Sequence, residues 1–420
     1  MRNDFAACRA MLTGRRYLLT SLVPFHRDER GDVWVNDLWH RDLMMHLNYI
    51  PDLLVLAAQA EGPLGENMMR VEPEPGQRIA FLPTGPVLTG RRQLPAALPR
   101  MVRAMRQALA QADVVHSGVG GWPVPPGVML NPMTIRRGLP LIIVIESAFW
   151  RIPEGTKAGL RWRVEAAATE RFARWSAARA ALAIYTHRSY AESLPVGPEG
   201  IAAVTPASWI RTEDVVTEDA LEGFWQGKPD QLRLLLASRL TEEKGTGVVL
   251  EALRQMDQQG AALHLDVVGS GSMAPQIADF AEHARHVRVR ILREVAYATE
   301  FLPLLRNYHA VLVPTTSDEQ PRVILDAFSQ GVPVIASDTA GNREVATDGL
   351  NALFVARGDA AALARCLSDP ALTPQALHRL SAPARARAAS CTHLMMHQRR
   401  AALLVRALEG KMPAPGGTGT

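Results

Sequence analysis

Two carboxylates with fixed spacing carry the first chemical signal of the chain. Asp318 and Asp326 stand eight positions apart in Ser317-Asp318-Glu319-Gln320-Pro321-Arg322-Val323-Ile324-Leu325-Asp326-Ala327-Phe328-Ser329-Gln330-Gly331, just after the apolar run 310–314. Proline suits a first helical turn and glycine a helix end, so Pro321 and Gly331 predict a helix of about three turns. That places Asp318 in the loop before the helix and Asp326 within it. A strand emptying into a helix N-terminus offers free N–H groups and a positive dipole end to a phosphate, with carboxylates for hydroxyls on either side. This combination suggests a nucleotide sugar.

A second signal comes from the cations upstream, in Leu235-Leu236-Ala237-Ser238-Arg239-Leu240-Thr241-Glu242-Glu243-Lys244-Gly245. Only four of the 46 basic residues are lysine: Lys157, Lys228, Lys244 and Lys411. In a chain that otherwise uses arginine, Lys244 suggests a site wanting a compact ammonium, here to neutralise a diphosphate leaving group. The structural alternatives are a surface lysine at a helix start and, for Arg239, a strand-end ion pair.

Downstream the order continues through Gly331-Val332-Pro333-Val334-Ile335-Ala336-Ser337-Asp338 to Glu344 and Asp348-Gly349-Leu350-Asn351. Over residues 232–355 this resembles the donor domain of the family 4-type (group 1) retaining glycosyltransferases of the GT-B fold; over the first half the resemblance is weak. The family pattern is Glu, seven residues, Glu, and both positions here are Asp, one methylene shorter. The resemblance implies that Arg239 and Lys244 take the diphosphate, Asp318 orients the donor sugar hydroxyls, and Asp326 holds the ribose. It also implies that the N–H groups of Val323 and Ile324 meet the distal phosphate and that Glu344 supports the donor loop. On the acceptor side, His116 falls where the family often has His-x-His, with Gly118 in place of the second histidine, and Glu146 ends another strand. Structural alternatives for these two are a satisfied core histidine and a helix N-cap neighbour. The implied chemistry is transfer with retention from a nucleoside diphosphate sugar, with no other cofactor and no metal. A non-catalytic nucleotide-sugar sensor, or a partner subunit of a glycan assembly complex, is the alternative that the two Glu-to-Asp departures keep open.

One motif competes. Gly269-Ser270-Gly271-Ser272-Met273-Ala274 follows a strand, with Glu294 at the end of the next, and alone it satisfies a dinucleotide fingerprint. A complete strand–helix unit precedes it, however, and that unit carries Arg239 and Lys244, for which NAD has no obvious need. Gly269 and Gly271 are read instead as letting the backbone approach the donor phosphate.

The elements needed to position these residues are legible as alternation. Apolar runs at 17–23, 53–57, 79–83, 113–116, 141–145 and 182–185, then 232–237, 263–268, 287–292, 310–313, 332–336 and 352–355, read as short buried strands. Helical stretches such as 95–111 and 158–181 lie between some of them. The expected fold class is α/β: two Rossmann-like, doubly wound parallel-sheet domains facing a central cleft, with the site at the strands' carboxyl ends. The expected boundaries are 1–212 and 213–385, then a last helix at 386–411 crossing back to the first domain, and a disordered tail at 412–420.

Composition fits a large soluble enzyme of 420 residues. Three cysteines without CxxC spacing argue against a disulfide framework and suit a reducing cytoplasm. No signal peptide, no stretch of 18 apolar residues and no His-Glu-x-x-His array is read. Residues 1–212 carry 25 Lys+Arg against 18 Asp+Glu, and the remainder 21 against 24. A basic first half would suit a phosphate-bearing acceptor or an anionic membrane surface; a solvated arginine-rich surface is the plainer reading. Nucleic acid is not expected as a partner.

Overall fold

The computed structural model describes residues 3–65, 67–121, 123–152 and 158–411. Lys157, Trp122 and the tail at 412–420 lie outside them. The chain divides into two compact units, residues 1–205 with 397–420, and residues 206–396. The break after Thr205 falls seven residues before the expected one at 212. The second unit likewise runs beyond 385 into the last helix.

The first unit is built on seven parallel strands: β1 (Tyr17–Thr20), β2 (Asp52–Gln59), β3 (Arg78–Pro86), β4 (Val114–Ser117), β5 (Leu141–Ile145), β6 (Leu182–Tyr185) and β7 (Ile201–Val204). Their order across the sheet is β7-β6-β5-β4-β1-β2-β3. Leu18, Leu54, Leu56 and Val115 enter one core, whereas Tyr17, Leu19, Leu53 and Val55 enter another on the opposite face. Strands covered on both faces read as unbroken apolar runs because neither side of the pleat meets water. A small antiparallel sheet of His26–Arg27, Val33–Asn36 and Met68–Arg70 flanks this one and was not anticipated.

Three helices of this unit matter below: α1 (Asp37–Leu47), α2 (Leu94–Leu109) and α3 (Leu160–Ala177). The second unit has β8 (Arg233–Ala237), β9 (Leu263–Val268), β10 (Val287–Leu292), β11 (Ala310–Val313), β12 (Val334–Ser337) and β13 (Ala352–Val355), all parallel, in the order β10-β9-β8-β11-β12-β13. Both sheets therefore reverse direction beside their first strand, between β1 and β4 and between β8 and β11. Loops leaving adjacent strands in opposite directions open a crevice there, where doubly wound sheets bind ligands.

Helices α4 (Thr246–Gln258), α5 (Val323–Ser329) and α6 (Ala340–Val345) carry the loops of the second unit, and α7 (His393–Leu408) ends the described chain. From His397 onward α7 belongs to the first unit, where Ala401, Leu404, Ala407 and Leu408 join the core that also holds Tyr17, Leu19, Leu53 and Val55. A buried polar network accompanies them. The Tyr49 hydroxyl meets His397 Nδ1 at 2.9 Å, and His397 Nε2 meets Asp42 of α1 at 3.0 Å.

Candidate functional site

In the second unit the loop after β8 and the loop after β11 are knit together at the switch point. Thr316 N–H donates to the Glu243 carbonyl at 3.0 Å, and the Thr315 hydroxyl donates to the same oxygen at 3.1 Å. Gly245 closes the contact. Its φ is +76°, and a Cβ there would stand 1.9 Å from the Pro314 carbonyl oxygen. Gly245→Ala therefore combines backbone strain with overpacking and is expected to cost about 2–6 kcal/mol. Urea denaturation measures it, and wild-type stability would show that the two loops do not depend on this approach.

The knitting brings Lys244 to the loop that carries Asp318, but the carboxylates that meet the two predicted cations are Glu319 and Glu243, not the predicted aspartates. Lys244 ends the single turn Glu242–Lys244 and ion-pairs with Glu319. Burial first, then the Arg239 and Arg322 guanidiniums, bring its ammonium down to about 8, against the opposing pull of Glu243. Arg239 is largely exposed and pairs with Glu243 at 2.8 Å. Asp318 is held by a residue that sequence reading missed: Arg357, in the loop after β13, reaches its Oδ1 at 3.0 Å. The two are 39 positions apart, and no local pattern announces such a partner.

The helix that carries Asp326 is shorter than expected, Val323–Ser329 or about two turns, because Pro321 and Arg322 stay outside it. Val323 and Ile324 are its first two residues, and the Ile324 N–H makes a long 3.4 Å bond to the Pro321 carbonyl. Asp326 is buried, and its Oδ1 accepts from the Tyr297 hydroxyl at 2.5 Å. Burial raises its carboxyl to about 7, with Tyr297 and Arg322 pulling the other way. Tyr297 is a second partner that sequence reading missed.

The loop itself is pinned from both sides. The Gln320 side chain accepts from Ala207 N–H at 2.7 Å and donates to its carbonyl at 3.2 Å. Gly341 of α6 lies so close that a Cβ would meet the Glu319 carbonyl oxygen at 2.1 Å. Glu344, also on α6, is half-buried, and its carbonyl accepts from Arg387.

Gly269 and Gly271 have a use that needs no ligand. Their φ values are +133° and +154°, and Cβ atoms there would meet the Ser238 and Leu240 carbonyl oxygens at 1.9 and 2.4 Å. They let the loop after β9 press against the loop that carries Arg239. Glu294 accepts from the Ser270 hydroxyl at 2.6 Å, which ties its carboxylate to this loop.

The acceptor-side candidates separate. His116 is corrected to a core residue: it is 9% exposed, its Nδ1 lies 3.1 Å from the Tyr17 hydroxyl, and burial brings its imidazole down to about 3. A neutral histidine bonded inside the sheet packing is not presented to a ligand at the strand ends. Glu146 is exposed at the end of β5, and its carbonyl accepts from the Thr186 hydroxyl at 3.2 Å.

Residues 231–369 match the family model described as "Glycosyl transferases group 1". Over 142 residues the chain is 27% identical to the amylovoran biosynthesis glycosyltransferase AmsK of Erwinia amylovora, covering 32% of this chain and 35% of the relative. The match thus spans about a third of that protein's length. A longer alignment, 25% identical over 369 residues, covers 81% of this chain and 85% of the D-inositol 3-phosphate glycosyltransferase of Paenarthrobacter aurescens. Among solved structures, sucrose-phosphate synthase from Thermosynechococcus elongatus superposes with a TM-score of 0.69 at 17% identity, over 94% of this chain and 99% of that one. Anabaena HepE in complex with UDP-glucose does so with 0.62 at 16%, over 92% and 98%. Two parallel α/β sheets and these neighbours establish the fold as GT-B, and residues 231–369, which hold the sheet of the second unit, are the part that is similar to the group 1 glycosyltransferases.

Proposed function

We propose that the chain is a retaining, metal-independent glycosyltransferase that takes a sugar from a nucleoside diphosphate sugar. The observation that carries this reading is the gathering of Arg239, Lys244 and Arg322 around the loop that presents Asp318, at the switch point of the donor-domain sheet. As the bond between the anomeric carbon and the diphosphate oxygen breaks, the electron pair goes to the diphosphate. Preorganised cations stabilise that developing charge more than they stabilise the ground state. The acceptor hydroxyl supplies the new oxygen and gives its proton to the departing diphosphate. Asp318, oriented by Arg357, is assigned to the donor sugar hydroxyls, Asp326 to the ribose, and the start of α5 to the distal phosphate.

Support for a uridine nucleotide comes from Anabaena HepE, whose structures hold UDP and UDP-glucose. Support for a cytoplasmic setting comes from Cys8, Cys366 and Cys391, all free thiols. Among the described residues no helix is long and apolar enough to cross a membrane.

The test is incubation of the purified chain with a panel of nucleoside diphosphate sugars, with and without chelator. Donor consumption, with the product linkage read by NMR coupling at the anomeric carbon, is the expected result. Inverted product overturns retention, and chelator inhibition relieved by Mg²⁺ overturns metal independence. Tight donor binding without hydrolysis or transfer would mark a sensor or partner subunit instead.

A further inference from the structure

The first unit has a pocket at its own switch point. It measures about 360 Å³, within the usual size of small-molecule sites, and lies at the carboxyl ends of β1, β2 and β3. Its roof is the first two turns of α2. Ala104, Met105 and Ala108 of that helix are buried in the core, and the same face continues upward through Ala97, Arg100 and Met101 into the pocket. Alanine at 96 and 97 leaves the space open where a larger side chain would fill it.

The lining is mostly apolar. Leu56 and Val124 line it, and so do Leu22 and Val87, which are 63% and 43% exposed. Large aliphatic side chains held in water beside a cavity gain by covering an apolar ligand.

The charge of this wall has one sign. Between Glu74 and Asp113 the chain has no Asp or Glu and six arginines. Arg78 is engaged by Asp52 and Arg91 by Glu165. Arg100 is the one charged group in the described lining, and among the described residues it has neither an ion-pair nor a hydrogen-bond partner.

We propose that this pocket binds an amphiphilic anion, with the apolar body inside and one phosphate-like group at Arg100, and that this molecule is the sugar acceptor. The acceptor assignment rests on the function proposed above; the binding site does not. A free amphiphile and a membrane-borne one share this chemistry.

Calorimetric titration of the full chain with decyl phosphate, below its micelle concentration, tests the site. One molecule per chain is expected to bind. Arg100→Gln should weaken it by about 10- to 100-fold, the range for a lost charge-assisted hydrogen bond, and Ala97→Trp should abolish it by filling the cavity. Inorganic phosphate alone should give no saturating heat. Should Ala97→Trp fail to fold, Val87→Glu, at an exposed lining position, is expected to repel the anion with a similar loss.

Wild-type affinity in Arg100→Gln and Val87→Glu, or inorganic phosphate binding as tightly as decyl phosphate, overturns the proposal. Titration with UDP on the same samples separates the two readings. Normal UDP binding with no decyl phosphate binding removes the pocket alone, and the reverse removes the donor site alone. Sedimentation with phosphatidylglycerol vesicles distinguishes the sources: capture competed by decyl phosphate assigns a membrane-borne ligand, and no capture assigns a soluble one.

Discussion

Lys244→Ala is expected to lower sugar-transfer turnover by about 10²- to 10³-fold, the effect of removing a group that stabilises charge only in the transition state. Lys244 is well placed for this loss to be large. Its ammonium is mostly screened from water, so its charge acts through a medium of lower dielectric than bulk solvent. The same burial makes a pH test available. With the ammonium titrating near 8 in the free protein, kcat/KM should decline as pH rises past that value, and the alkaline limb should disappear in the alanine variant. The ion pair with Glu319 requires a control, because removing one partner of a half-buried pair also costs stability. Glu319→Gln breaks the same pair while keeping the cation. If it loses as much turnover as Lys244→Ala, the pair acts through the loop's shape. A Lys244→Ala enzyme within threefold of wild type would remove Lys244 from the chemistry altogether.

The second large effect separates the two aspartates. Asp318, half-exposed and oriented by Arg357, is assigned to the reacting sugar, so Asp318→Asn should mainly depress kcat. Asp326 is assigned to the ribose, away from the breaking bond, so Asp326→Asn should mainly raise the donor KM. The burial of Asp326 adds a signature that no exposed carboxylate would show. Its carboxyl is raised from 3.8 to about 7, so the folded state keeps a proton that the unfolded chain loses. The associated stability is fully present below about pH 4 and is lost as pH rises through about 7. A proton held across that interval corresponds to on the order of 4 kcal/mol. Asp326→Asn should therefore gain on wild type in urea denaturation at pH 8 and lose that advantage at pH 4. Donor KM in wild type should fall as pH rises through 7, when the carboxylate becomes a full acceptor, and should be flat in the asparagine variant. If Glu319→Gln is the inactive variant while Asp318→Asn keeps normal kcat, the sugar contact belongs one residue later in the loop.

The sequence by itself determined the alternation of buried strands, the two-sheet class, and the loops that carry Arg239, Lys244 and Asp318. Those features are local: a parallel strand covered on both faces must be a continuous apolar run, and a proline and a glycine punctuate a helix wherever it packs. Strand β7, at the sheet edge and only half-buried, escaped notice for the same reason, since it needs no unbroken apolar run. Tertiary structure decided the partners. Arg357 reaches Asp318 and Tyr297 reaches Asp326 across 39 and 29 positions of chain, pairings set by which strands lie side by side. It also decided burial, which turned His116 from a proposed ligand contact into a neutral core residue and pushed the Asp326 carboxyl up to about 7. The cost of ionisation depends on the dielectric that surrounding elements create, and a residue's own neighbours in sequence do not supply that information.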